Sequence, residues 1–191
     1  MNKGYPTALL LVANGSEDLE VVTISDILRR TSINLKIISV ENSTVIKFSK
    51  GLKIIADHKI SETIPEPDAI IIPGGFVGVE TIRKNKIAMS LLQNHVQSRD
   101  KLFATICAGS LVFLDLVLKE NEVKITSWPS LKHDFSSSDN LSWINKSVVV
   151  DGRFITAQGP SSAITFGVKI AEKMLDDSSV IDKLKKGLLF D

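Results

Sequence analysis

The chain is poor in the side chains that most often bind metals or form cross-links. Its 191 residues include one cysteine and three histidines, and only 6% of them are aromatic. One cysteine excludes a disulfide within the chain, and with scattered histidines it also excludes a Cys/His metal cluster. We therefore expect no metal and a free thiol. A free thiol fits a reducing compartment, most simply the cytosol.

The chain also lacks an excess of charge and a long apolar run. Its 23 basic and 22 acidic residues leave a formal charge of +1, so nothing suggests a nucleic-acid or membrane partner recruited by charge. No apolar run approaches the roughly 20 residues that span a bilayer. Residues 1–6 do not resemble a signal peptide. We expect one intracellular, cytoplasmic domain over residues 1–191.

Buried strands and helical stretches alternate along the chain, which predicts an α/β sandwich with a mostly parallel central sheet. We expect strands at 8–12, 35–40, 68–72, 102–106 and 123–127, and hairpins pairing 45–48 with 53–56 and 147–150 with 154–157. Helices are expected at 16–30, at 79–98 with a break near Asn85, from Cys107 to about Leu118, and at 130–135, 161–175 and 179–188.

The single cysteine lies where a strand turns into a helix. The apolar run Leu102–Ile106 leads into Cys107, and the small residues Ala108 and Gly109 follow it. This pattern is typical of a nucleophile elbow. A thiol over the first turn of a helix should have a lowered pKa, because the helix end stabilises an anion. The alternative is a cysteine buried as a small apolar residue.

Three other loops follow strands and should meet Cys107 at one sheet edge: 14–20, 73–78 and 158–160. Glu20 lies on an apolar stretch, so its pKa should rise, and its protonated carboxyl could donate to a thiolate. Alternatively, Glu20 only stabilises the helix N-terminus.

Backbone N–H groups at Gly75 and Ala108 could hold an oxyanion, since Gly74 and Gly75 allow close approach of the backbone. The two glycines could also be only a turn. They fit neither a phosphate loop nor a dinucleotide fingerprint, so no cofactor is expected.

The histidines do not follow strands in the way a Cys–His pair would require. His58, His95 and His133 are expected at the surface, although the sequence leaves open whether His133 reaches the site.

Four motifs in order resemble the ThiJ/PfpI superfamily, in particular the branch of the Parkinson-associated glyoxalase and deglycase. They are Ala13–Glu20, Ile72–Gly75, Ala104–Gly109 and Thr156–Pro160, within a match from about residue 7 to residue 191. The resemblance implies a flavodoxin-like three-layer sandwich and a homodimer. It also implies that Cys107 is the nucleophile and redox-sensitive thiol, that Glu20 is its acid/base partner, and that Gly75 and Ala108 supply the oxyanion donors.

The chain departs from that family pattern in the pocket, which Gly74, Trp128, Gly159 and Pro160 are expected to line. Trp128 stands where a histidine is common, so a Cys–His pairing is lost and Trp128 should narrow the site. Two serines are also unusual: Ser110 follows Cys-Ala-Gly, and Ser161 follows Gly159-Pro160 in place of glycine.

The resemblance implies a glutathione-independent glyoxalase or deglycase that acts on small dicarbonyls through a Cys107 hemithioacetal and protects against oxidative stress. The alternative is a non-enzymatic redox sensor or chaperone in which Cys107 is oxidised to the sulfinate. Amidase or protease activity is disfavoured because the histidine is missing. A further alternative is an inert site blocked by Trp128.

Overall fold

A computed structural model describes residues 5–61 and 64–190. The strands are β1 Thr7–Val12, β2 Asn34–Ser39, β3 Val45–Lys47, β4 Lys53–Ile55, β5 His58–Lys59, β6 Ala69–Ile72, β7 Leu102–Ile106, β8 Val123–Ile125, β9 Leu141–Trp143, β10 Val148–Asp151 and β11 Phe154–Ala157. The α-helices are α1 Asp18–Arg29, α2 Phe76–Lys84, α3 Lys86–Gln97, α4 Ala163–Met174 and α5 Ser178–Leu188. Three 3-10 helices span Cys107–Asp115, Pro129–Phe135 and Pro160–Ser162.

Seven strands form the central sheet in the order β10-β11-β7-β6-β1-β2-β5. All neighbouring strands are parallel except β10 and β11, which form the hairpin expected across Asp151-Gly152. Strands β6, β7 and β11 are buried along their whole length, as expected for parallel strands covered on both faces. The α/β fold with a mostly parallel sheet is therefore confirmed.

The helices pack as two groups. Helix α4 packs on α1, α5 and strand β11, whereas α2 packs on α3 and on the 3-10 helix that begins at Cys107. The expected break at Asn85 is confirmed, because the Asn85 side chain accepts from the Ala88 N–H and caps α3. The hairpin of β3 and β4 is held to α1 by the Asp18 carboxylate, which accepts from the backbone N–H groups of Lys50 and Leu52.

Several expectations were wrong in detail. The helix after Cys107 is a 3-10 helix that ends at Asp115 rather than an α-helix reaching Leu118. Strand β8 lies outside the central sheet and pairs with β9. Strand β9 was not predicted, because the residues around it are polar. The N-cap of α1 is Glu17, whose carboxylate accepts from the Glu20 N–H, so the helix begins later than expected.

Within residues 5–61 and 64–190, no helix is both long and apolar enough to cross a bilayer. The same residues contain no group of three or more Cys, His, Asp or Glu side chains arranged to hold a metal ion.

The parallel strands bring the loops of the candidate site together at the carboxyl edge of the sheet. Strands β1, β6 and β7 run side by side in register, and β7 pairs with β11 such that Ile106 is opposite Ala157. The loops that leave their carboxyl ends therefore meet. They contain Glu20, Gly74, Cys107 and Gly159.

Candidate active site

Cys107 sits at a sharp turn between strand β7 and the 3-10 helix. Its backbone has φ of +60°, one of two positive values among non-glycine residues of the described chain. Such a conformation costs a side-chain-bearing residue about 1–3 kcal/mol and is typical of nucleophile elbows. Gly109 is required for the turn, because a Cβ there would lie 2.5 Å from the Ile72 carbonyl oxygen. The expected elbow is confirmed.

Glu20 is completely buried in the first turns of α1. One carboxyl oxygen, Oε2, accepts from the Gly74 N–H at 2.6 Å. The other, Oε1, has no hydrogen-bond partner among nitrogen and oxygen atoms of the described residues. A buried carboxyl oxygen left without a partner is costly and rare. This carboxyl is more than a helix-end charge, since it reaches across to a second loop.

Gly74 lies between Glu20 and Cys107. A Cβ on Gly74 would be 2.6 Å from the Cys107 Cβ, 2.7 Å from the Glu20 Oε2 and 3.0 Å from the Cys107 Sγ. The two side chains therefore approach each other across a space that only glycine leaves open. Sequence analysis placed these residues at one sheet edge, and the structure brings them into contact.

The backbone of Gly75 also lies very close to a neighbouring turn of the chain. Its φ is +90°, and a Cβ there would collide with the backbone of the Gly15–Glu17 turn. The N–H groups of Gly75 and Ala108 both donate toward the Cys107 sulfur. The two expected oxyanion donors are thus brought together at the thiol, which is the position from which they could reach an oxygen bound to the attacked carbon.

Burial raises the pKa of Glu20 to about 7, and the charge of Glu17 adds to the rise, whereas the Gly74 N–H opposes it. The expected rise is confirmed. The pKa of Cys107 also rises, to about 12, mainly through burial and then through the negative charge of Glu20. The expectation of a lowered thiol pKa was therefore wrong. The Ala108 and Gly75 N–H groups offset only part of the effect.

Of the three further residues expected to line the pocket, Trp128 contacts both the elbow backbone and Gly159. The Trp128 N–H donates to the Cys107 carbonyl at 3.3 Å. Its indole lies over Gly159, where a Cβ would be 3.3 Å from Cε3, and 42% of the residue remains exposed. Pro160 begins the 3-10 helix that continues from Gly159. The indole therefore packs against Gly159, and much of the residue remains open to solvent.

The three histidines differ in their exposure to solvent. His58 and His133 are exposed, as expected. His95 is buried, contrary to expectation, because its face of α3 packs on the sheet and its Nε2 lies 2.8 Å from the Leu102 carbonyl oxygen. Burial lowers the pKa of His95. No histidine is among the described hydrogen-bond partners of Glu20.

Sequence analysis missed a buried hydroxyl network behind the elbow. The Ser110 hydroxyl donates to the Thr126 carbonyl at 2.9 Å and lies 2.8 Å from the Thr105 hydroxyl. The Thr126 N–H in turn donates to the Thr156 hydroxyl at 2.8 Å. The network links the elbow to the backbone that precedes Trp128. The only indication of this network in the sequence is the presence of hydroxyl side chains in otherwise apolar stretches.

Known proteins match this chain in sequence and in fold over most of its length. The model of the DJ-1/PfpI family matches residues 6–173. Protein dj-1beta of Drosophila melanogaster is 30% identical over 185 residues, covering 96% of each chain. The glutathione-independent glyoxalase DJ-1 of Schizosaccharomyces pombe is 28% identical over 174 residues, covering 86% of this chain and 89% of that one. The structure of oxidized Toxoplasma gondii DJ-1 superposes with a TM-score of 0.85 at 33% identity, covering 97% of this chain and 98% of that one.

The space at Gly74 gives a first test. Because a Cβ there would overlap both Cys107 and Glu20, Gly74→Ala should lower the free energy of unfolding by about 1–3 kcal/mol, the usual cost of overpacking a core. Gly187→Ala is the control, since a Cβ at Gly187 has nothing within 4 Å. That change should be neutral or stabilising. Urea unfolding measures both, and equal stability of the two variants would contradict the packing described.

Proposed function

This chain belongs to the DJ-1/PfpI family, and we propose that it is an enzyme that converts small α-dicarbonyls such as methylglyoxal into hydroxy acids without glutathione. The observation that carries the proposal is the contact of Cys107 with a fully buried Glu20 whose pKa is raised to about 7. A base with a pKa near neutrality is suited to moving protons in both directions. The name of the Schizosaccharomyces pombe relative supports the same reaction class.

The first step is addition of the thiol to the aldehyde carbon. Glu20, ionised, takes the proton from Cys107 while the sulfur forms a bond to that carbon and the carbonyl electrons move to oxygen. The Gly75 and Ala108 N–H groups stabilise the oxyanion, and one such donor is typically worth about 2.7–4 kcal/mol. The proton then passes from Glu20 to the oxygen. The product is a neutral hemithioacetal.

The second step moves hydrogen from one carbon to its neighbour. Glu20 moves the proton from the carbon bonded to sulfur to the ketone oxygen, giving an enediol. Glu20 then takes the proton of the hydroxyl on the sulfur-bearing carbon and delivers it to the former ketone carbon. The aldehyde carbon is thereby oxidised to a thioester and the ketone is reduced to an alcohol, so no external oxidant is needed. Water hydrolyses the thioester, releasing the hydroxy acid and regenerating Cys107.

The same thiol chemistry would serve protein deglycation. If Cys107 attacks a dicarbonyl that is still bound to an amine, the carbon–nitrogen bond breaks, Glu20 protonates the amine and the hemithioacetal remains. Both reactions need a reduced thiol, and the chain has its cysteine free. We therefore propose that the protein acts in a reducing compartment such as the cytosol.

A redox role for the same thiol is the second candidate. The N–H groups of Gly75 and Ala108 and the carboxyl of Glu20 all face the sulfur. They could hydrogen-bond to oxygens added to it, as in a sulfinate. The raised thiol pKa weighs against this candidate, because oxidation by peroxide begins from the thiolate.

We propose further that the chain forms a homodimer. Exposed apolar side chains lie on α1, on the β3–β4 hairpin with its turn, and at the start of α2: Leu19, Val22, Val45, Leu52, Ile55, Phe76 and Val77. Exposed apolar patches are typical of interaction sites. Light scattering should give twice the mass of one chain, and the mass of one chain at micromolar concentration would contradict the proposal.

The enzyme proposal predicts lactate from methylglyoxal without glutathione. Cys107→Ala should lower kcat/KM at least about a thousandfold, because the covalent step is lost, and Glu20→Gln at least about a hundredfold. His58→Asn, a change on the exposed edge strand, is the control and should leave kcat/KM unchanged.

The pH dependence of kcat/KM is a second test of the role of Glu20. Only ionised Glu20 accepts the thiol proton, so kcat/KM should rise as pH passes through about 7, the pKa of Glu20 in the free enzyme. A flat profile, or full turnover by Glu20→Gln, would contradict the assigned role. If wild type makes no lactate while peroxide converts Cys107 to the sulfinate, the redox candidate replaces the enzyme.

A further inference from the structure

An exposed indole stands beside a nucleophile that is otherwise buried. Gly159, on which the Trp128 ring lies, comes two residues after Ala157, and Ala157 is paired with Ile106 directly before Cys107. The ring therefore lies above the carboxyl end of β11, on one side of the strand that carries the thiol. Cys107 is 7% exposed, whereas Trp128 is 42% exposed.

The segment that carries Trp128 is held firmly. The Ser127 hydroxyl donates to the Trp128 carbonyl at 3.2 Å and accepts from the Trp143 indole N–H at 2.9 Å. The Trp143 ring in turn has the Lys132 ammonium 5.8 Å from its centroid. Because its backbone is held by these bonds and its ring packs on Gly159, Trp128 offers a preorganised apolar surface.

We propose that Trp128 is the specificity-determining residue of this site and that the preferred substrates are α-dicarbonyls with an aromatic substituent, the arylglyoxals. This inference rests on the proposed function. The aldehyde end of such a substrate reaches Cys107, while its ring packs against the Trp128 indole. Aromatic pairs gain stabilisation beyond the area that they bury. The methyl group of methylglyoxal leaves the indole largely exposed.

The charge of the site restricts the substrate further. The ionised form of Glu20 places a buried negative charge beside the thiol, and burial leaves that charge poorly screened. Substrates that carry their own carboxylate, such as α-keto acids, are therefore disfavoured. The neutral arylglyoxals meet no such repulsion.

The first test compares phenylglyoxal with methylglyoxal in wild type and in Trp128→Ala. Loss of the indole should lower kcat/KM for phenylglyoxal about tenfold and for methylglyoxal less than about threefold. The intrinsic reactivity of each aldehyde cancels in this comparison. Tyr5→Ala, which removes an exposed aromatic ring before β1, is the control and should change neither value. Equal effects of Trp128→Ala on both substrates would overturn the proposal.

A binding measurement separates this inference from the reaction itself. The probes are 2-hydroxyacetophenone and hydroxyacetone, which carry the phenyl and the methyl group but have no aldehyde for a thiol to attack. In Cys107→Ala, ligand-observed NMR should show at least about fivefold tighter binding of the phenyl compound. The difference should disappear in the double variant Cys107→Ala/Trp128→Ala.

The outcomes are distinct. If wild type turns over neither dicarbonyl but the phenyl compound binds through Trp128, the proposed reaction fails and the ligand class stands. If methylglyoxal is turned over but the two probes bind equally, the reaction stands and the assignment of Trp128 is wrong. Trp128 is partly exposed, so its replacement should leave the fold intact, and Trp128→Phe should retain most of the preference.

Discussion

A carboxyl group and a thiol, both buried and in contact, are the constraint on which the rest of the site depends. Among backbone groups of the described residues, only the Gly74 N–H donates to the Glu20 carboxyl, at 2.6 Å. The charge of Glu20 raises the pKa of Cys107 beside it. Two negative charges cannot be accommodated there without water. Burial therefore raises the pKa of both groups, and the pair holds a single negative charge between its two ionisations, so that the proton can move within it.

In this arrangement the thiol holds the proton and Glu20 holds the negative charge, which suits a reversible addition to a carbonyl. In the mechanism that we propose, the thiol stays protonated until a substrate is in place and Glu20 takes its proton. The fold contributes by close backbone approach: Gly74, Gly75 and Gly109 lie where a Cβ would overlap neighbouring atoms. Helix α1 carries Glu20, and the loop of β6 carries its donor. Catalysis on this account depends on the packing of two loops more than on any helix dipole.

Much of this could be predicted from the residues. Buried apolar runs that alternate with helical stretches predicted the parallel sheet, and the order of parallel strands then placed Glu20, Gly74 and Cys107 at one edge. The direction of the thiol pKa could not be predicted, because it depends on how deeply the helix end is buried and how near Glu20 lies. His95 and β9 were missed because burial is decided by tertiary packing, which overrides local polarity.

The most direct test of the account is the titration of Cys107 itself. Because the chain has one cysteine, ¹³C labelling of that residue gives a single Cβ signal whose chemical shift follows ionisation. The account predicts a thiol pKa well above the usual 9 in wild type and a lower pKa in Glu20→Gln, since the charge of Glu20 is then gone. A wild-type thiol that ionises below neutral pH, or a pKa that Glu20→Gln leaves unchanged, would contradict it.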